Sequence, residues 1–211
     1  MILIGQYDSP FVRRVAVALQ LYGFDYRHQP WSTFGDGARI AAYNPLMRVP
    51  TLVLDDGEAL VESFAILDWL DEAAGPQRAL IAASGAERRR ALKICALATG
   101  MADKAVSLVY ERLLHERSTA AWLERCRRQV GAVLDALEAD RGSSGTAWWQ
   151  GERIGHADIA VGCALRFLRE AHPDAFDLAA WPALARHAEA CEGLPAFQAV
   201  VQPFHVPMPA D

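Results

Sequence analysis

The period of the apolar positions changes once along the chain. Over residues 1 to about 74, short apolar runs alternate with helix-spaced stretches. Ile2-Leu3-Ile4 reads as a buried strand. Val12, Val15, Ala16 and Leu19 then step by three and four, as one face of a helix does. Thr51 to Leu54 and Ala59 to Val61 are two further strand-length runs, and Asp55-Asp56-Gly57 between them is a good hairpin turn. The pattern predicts strand 1–6, helix 10–22, strand 25–29, a short helix near 36–42, strand 51–54, strand 59–61 and helix 63–73. Strand–helix–strand followed by a hairpin and a helix is a small α/β sandwich.

Gly75-Pro76 ends the third helix, and from Glu87 onward only the helical period remains. Leu92, Cys95, Thr99, Ala102, Val106, Val109 and Leu113 form one stripe. Leu123, Cys126, Val130, Val133 and Leu137 form a second. Two such stripes joined by a short loop predict an antiparallel helix pair. Arg141 to Gly145 reads as a loop, an interior helix follows His156, and two more helices are expected near 181–192 and 195–202. The proline-rich tail from Pro203 to Asp211 is expected to be extended. The domain expectation is therefore 1–76, a linker at 77–86, and an all-helical domain at 87–211.

Three places in the first domain carry chemistry. Ser9 stands before Pro10 at the predicted start of a helix, the arrangement of an N-cap followed by a first-turn proline. A hydroxyl there can donate to an anion held at the helix's positive end, where thiol pKa values also fall. Val49 precedes Pro50, which favours extended backbone and permits a cis peptide. A cis bond would turn the Val49 N–H and C=O outward to pair with an extended peptide. Glu62-Ser63 closes the second hairpin strand and opens the next helix, with Ser63 as the expected cap. A helix start takes a carboxylate and Glu62 an ammonium, which together suit an α-amino acid head group. Read singly, these are also a strand-opening proline, two plain caps and a solvated glutamate.

Net charge is −5 over 211 residues, which argues against a general nucleic-acid binder. No apolar run approaches the roughly twenty residues of a membrane span, and the start lacks a secretory pattern, so the expectation is cytoplasmic. Cys95, Cys126, Cys163 and Cys191 form no Cys-x-x-Cys pair, and the six histidines show no ligand spacing. Neither a metal site nor a disulfide framework is expected.

Taken in order, Ser9-Pro10-Phe11-Val12-Arg13-Arg14-Val15, Asn44-Pro45-Leu46-Met47-Arg48-Val49-Pro50 with Thr51-Leu52, and Leu60-Val61-Glu62-Ser63 with Ala65-Ile66-Leu67 resemble the cytosolic glutathione S-transferase family. The likeness is to its serine-type, bacterial-like members. Gly151 to Asp158 is similar to the family's capping box before a central helix, with Gly155 where Ser or Thr is usual. The resemblance implies a thioredoxin-like N-terminal domain, an all-α C-terminal bundle, a homodimer and a role in detoxification. Glutathione would be the co-substrate, with its cysteinyl backbone on Val49 beside Pro50 and its glutamyl group at Glu62 and Ser63. Arg48 would meet the glycyl carboxylate or the neighbouring backbone. Ser9 would donate to the thiolate, with Tyr7 as the rival donor. Phe11 and Tyr110 would line the pocket for a small electrophile. Two alternatives stand beside the transferase: a glutathione-dependent isomerase of the maleyl type, and a non-enzymatic relative acting as a binding subunit.

Overall fold

The computed structural model describes residues 1–206, and its chain separates into two compact units. Met1–Ala83 and the C-terminal segment beginning at Leu194 form the first; Ser84–Gly193 form the second. The first unit holds β1 (Ile2–Ile4), α1 (Pro10–Tyr22), β2 (Arg27–Gln29), α2 (Gly37–Ala41), β3 (Thr51–Val53), β4 (Ala59–Val61) and α3 (Ser63–Ala74). The sheet order is β2-β1-β3-β4. β1 and β2 run parallel, as a crossover through α1 requires, and β3 pairs antiparallel with both β1 and β4.

Alternation along the strands sorts the side chains into two layers. Ile4, Ile40 and Val53 form a buried cluster on the α2 face, with Ile2, Trp31, Val49 and Ala59 packed against it. Leu3, Leu52 and Leu60 stand opposite one another in register on the other face, where α1 and α3 pack. The result is a three-layer thioredoxin-like sandwich. The strands are shorter than the pattern suggests at 1–6 and 25–29. Gly5, with φ +127°, ends β1, and Gly5 N–H still reaches the Gln29 carbonyl at 2.9 Å.

The second unit holds α4 (Gly85–Leu114), α5 (Ala120–Gly142), α6 (His156–Ala171) and α7 (Pro182–Glu192), with a 3-10 turn at Leu178–Ala180. α4 packs against both α5 and α6, and α6 is almost entirely buried. Asp158 secures its start: the carboxylate accepts from Gly155 N–H and from Trp149 N–H, each at 2.9 Å. Gly155 has no side chain to return the bond, so this is half of a reciprocal capping box. α5 runs through Gly142, so the expected loop begins only at Ser143.

The expected helix at 195–202 is shortened to α8 (Pro195–Gln198), which packs on α1 in the first unit. Its end has a physical reason: Arg13 takes the carbonyls of Phe197 and Val200, and Gln202 precedes a proline, which disfavours helix. Residues 207–211 of the expected extended tail lie outside the described residues. Among the described residues no helix is long and apolar enough to cross a membrane.

Candidate functional site

The site is assembled from three loops of the first unit. Ser9 caps α1 in extended geometry (φ −68°, ψ 123°), and its Oγ accepts from Val12 N–H at 3.4 Å. Its carbonyl accepts from Arg13 N–H at 2.9 Å, closing the first turn. Pro10 occupies the first helical position, where its missing N–H costs nothing. With one lone pair on Val12, the Ser9 O–H is left to donate outward at the positive end of α1.

The Val49–Pro50 peptide is cis. The turn before it is held by Asn44, which is buried. Asn44 Nδ2 donates to the Arg48 carbonyl at 2.9 Å and to Thr51 Oγ1 at 3.3 Å, while its Oδ1 accepts from Leu46 N–H at 3.0 Å. One amide side chain therefore fixes both flanks of Val49 and Pro50. Gly5 brings this loop against α1. A Cβ built there would lie 2.5 Å from Val12 Cγ2 and 2.8 Å from Val49 Cβ, so the close approach depends on glycine.

The third loop is Glu62-Ser63. Glu62 is the residue before α3 and holds φ +69°, ψ 128°. Ser63 is therefore the first helical residue rather than the cap, because the positive φ of Glu62 makes the chain turn one position earlier. Ser63 is buried, and its Oγ accepts from the Arg14 guanidinium at 3.5 Å. Glu62 is exposed, and its carboxylate stands 3.6 Å from the Arg48 guanidinium. This exposed pair contributes little to stability, but it places a cation and an anion beside the helix start.

Tyr7 is engaged elsewhere. Its hydroxyl pairs with that of Tyr26 at 2.9 Å, and its ring stacks on His28 with centroids 3.8 Å apart. Burial, followed by the bond to Tyr26, pushes the phenol far above its ordinary pKa. Both partners lie at β2, on the opposite side of β1 from β3, which Pro50 leads into. Of the residues expected to line a second pocket, Phe11 is half-buried in the first turn of α1. Tyr110 is exposed on α4 of the second unit.

Sequence reading missed Arg14, Asn44 and Gly5 as organisers of the site. Arg13 and Arg14 are both buried, in a helix that carries no acidic residue. Two adjacent cations in a nearly all-apolar helix were the available signal. All four cysteines are buried and unpaired in disulfides. Among the described residues no three His, Cys, Asp or Glu side chains gather as a metal site.

Known proteins share this fold. Residues 3–78 match the glutathione S-transferase N-terminal domain and residues 120–190 the C-terminal domain. A maleylacetoacetate isomerase of Pseudomonas aeruginosa is 33% identical over 94% of this chain and 94% of its own length. A glutathione S-transferase of Methylobacterium radiotolerans, solved in complex with glutathione sulfonate, superposes with a TM-score of 0.92. It is 27% identical and covers 100% of this chain and 98% of that one. One from Methylobacillus flagellatus with glutathione bound gives 0.86 at 30% identity, covering 94% and 98%. The chain belongs to the glutathione S-transferase family.

Proposed function

We propose that this chain is a glutathione transferase in which Ser9 stabilises the glutathione thiolate for attack on a small electrophile. The observation that carries the reading is the meeting of the open end of α1 with the Val49 loop at Gly5. That meeting supports a hydroxyl donor at Ser9 working beside a backbone suited to an extended peptide. Glutathione lies along it with its cysteinyl group on Val49 and its glutamyl group at the start of α3. There Glu62 accepts from the ammonium, and Ser63 with the helix N–H groups takes the carboxylate. Arg48 swings from Glu62 to a ligand carboxylate. Phe11, two residues from Ser9, offers an aromatic surface to the electrophile. Tyr7 is disfavoured as donor because its hydroxyl pairs with Tyr26 beside β2, on the far side of β1 from the strand that Pro50 leads into. On the same reading the protein works as a cytoplasmic homodimer in detoxification.

Calorimetry of glutathione binding, with the ultraviolet thiolate band recorded in the same titration, tests this for the wild type and Ser9→Ala. A hydrogen bond to a charged acceptor is worth about 1.5–3 kcal/mol, so Ser9→Ala raises the bound thiol pKa by about one to two units. An unchanged band removes Ser9 from the mechanism, and absence of binding removes the enzyme reading.

The similarity to a maleylacetoacetate isomerase favours a second reading, in which the bound thiolate adds reversibly to a cis-enedioic substrate and leaves after bond rotation. The same residues serve both. Conversion of a maleyl substrate without net consumption of glutathione selects the isomerase; a stable thioether product selects the transferase.

A further inference from the structure

The C-terminal segment crosses back over the loop that carries Ser9, and its tethers fall on both sides of that residue. On the helix side, Arg13 is buried. Its Nε donates to the Val200 carbonyl at 3.0 Å and its Nη2 to the Phe197 carbonyl at 3.1 Å. The guanidinium also lies over the Phe197 ring, 5.3 Å from its centroid. Phe197 and Val200 are themselves fully buried anchors. On the strand side, Gln202 Oε1 accepts from Tyr7 N–H at 3.0 Å, and Asp8 Oδ2 accepts from His205 N–H at 3.4 Å.

Gln6 to Asp8 belongs to neither β1 nor α1, so no regular ladder fixes its backbone. Ser9 sits between that irregular stretch and Arg13. Its backbone is tied on both flanks: Ser9 N–H donates to the Gln6 carbonyl at 3.2 Å, and the Ser9 carbonyl accepts from Arg13 N–H at 2.9 Å. A displacement of a few tenths of an ångström at a donor weakens a charge-assisted hydrogen bond, because its strength depends on distance and angle.

We infer that the segment from Leu194 to Val206 is a strap for the catalytic loop, and that Gln202 is a positioning residue for Ser9, acting through the Tyr7 amide. This rests on Ser9 being the thiolate donor. Arg13, Phe197 and Val200 hold the strap down, and Gln202 delivers its position to the backbone two residues before the hydroxyl. The role needs an acceptor oxygen at 202. Glutamate keeps that oxygen and leucine removes it at similar volume, while both leave the Arg13 and Phe197 anchors in place.

The test uses the full chain in three variants, Gln202→Leu, Gln202→Glu and Ser9→Ala. Two readouts are taken: the pKa of the bound glutathione thiol from the thiolate band, and amide hydrogen exchange across Tyr7 to Arg13 without ligand. Gln202→Leu is expected to quicken exchange and raise the thiol pKa by about half a unit, which cuts the thiolate present at neutral pH about threefold. Glutathione affinity stays within about twofold, since the groups proposed to bind the ligand are untouched. Gln202→Glu restores both readouts. The inference is overturned if Gln202→Leu leaves either unchanged, or if Gln202→Glu behaves like Gln202→Leu. The Ser9→Ala titration separates the two failures. If Ser9→Ala raises the thiol pKa and Gln202→Leu does not, only the strap's role falls. If Ser9→Ala changes nothing, the serine reading falls and the positioning role with it.

Discussion

The Arg14 guanidinium donates to Ser63 Oγ at 3.5 Å, linking the middle of α1 to the first residue of α3 from inside the fold. It also lies 4.7 Å from the centroid of the Phe64 ring. Two consequences follow for an anion at the start of α3. One lone pair of the Ser63 hydroxyl is occupied, so its hydrogen is available to the ligand. A buried positive charge also reinforces the dipole end, and burial shields it from salt. Arg14→Met therefore raises the dissociation constant for glutathione about tenfold, a loss of about 1.4 kcal/mol. Calorimetry at low and high salt checks it: the difference between variant and wild type stays constant as salt rises. A difference that vanishes at high salt would assign the effect to surface charge instead.

Gly5 gives a steric prediction. Its φ of +127° disfavours any side chain, and an added Cβ would press on Val12 and Val49 together. Strain and overpacking each cost about 1–3 kcal/mol, so Gly5→Ala is destabilised by about 3 kcal/mol or more. Because α1 and the Val49 loop are what it forces apart, glutathione binding falls even where the variant remains folded. Urea unfolding and calorimetry on the same preparation separate the two effects. A variant as stable as the wild type would contradict the close approach.

Local signals carried most of this architecture. The Ser9-Pro10 cap and the hairpin turn at Asp55-Asp56-Gly57 depend on neighbours a few residues apart, and the chain shows them as written; the Val49–Pro50 pair read locally allowed either isomer, and the chain holds the cis one. The glutathione S-transferase resemblance rested on the first and last of these stretches together with Leu60 to Leu67. What the pattern did not show depends on distant partners. Arg13 meets carbonyls 187 and 184 positions away, so its neighbours in the sequence hint at a buried cation without naming its partners. For the same reason the segment from Leu194 reads as one more helix of the second unit, when its contacts are with α1. Ser63 was misplaced by one position because a serine before an apolar helix is the ordinary cap, and a glutamate at positive φ has no sequence signature.

Glu62 separates stability from function. A non-glycine residue at φ +69°, ψ 128° carries backbone strain of about 1–3 kcal/mol, which glycine relieves. Glycine gives back part of this through the greater freedom of its unfolded chain, and the lost Arg48 contact is exposed and weak. Glu62→Gly is thus expected to be as stable as the wild type or more stable by up to about 1 kcal/mol. Its glutathione affinity falls at least about tenfold, since the acceptor for the ligand's ammonium is gone. Thermal unfolding with calorimetry reads both. A variant that loses stability along with affinity shows that the Glu62 side chain holds the turn itself.

Two buried groups in the second unit titrate against each other in sign. His187 has its Nε2 3.8 Å from Asp158 Oδ1, 3.4 Å from the Asp158 carbonyl and 3.5 Å from Cys191 Sγ, and its buried Nδ1 has no partner. Trp149 packs edge-on against its ring. Burial pushes its pKa down to about 4, with Arg141 acting in the same direction and the Asp158 carbonyl opposing. Burial also pushes the Asp158 carboxyl up to about 6, against the lowering effect of the Trp149 and Gly155 amides. For His187 the unfolded chain takes the proton first as pH falls below its ordinary value near 6.5. Its stabilising contribution, about 3 kcal/mol, is complete above that pH and lost down to pH 4. For Asp158 the folded chain takes the proton first. Its penalty is complete above pH 6 and is relieved towards its ordinary value near 4, by about 3 kcal/mol. The two slopes largely cancel in the wild type, and each replacement exposes the other. Relative to the wild type, His187→Gln gains stability between pH 6.5 and 4, and Asp158→Asn loses it over the same interval. Urea midpoints measured at half-unit steps across that range decide the matter: slopes matching the wild type in both variants would show that neither group changes its proton affinity on folding.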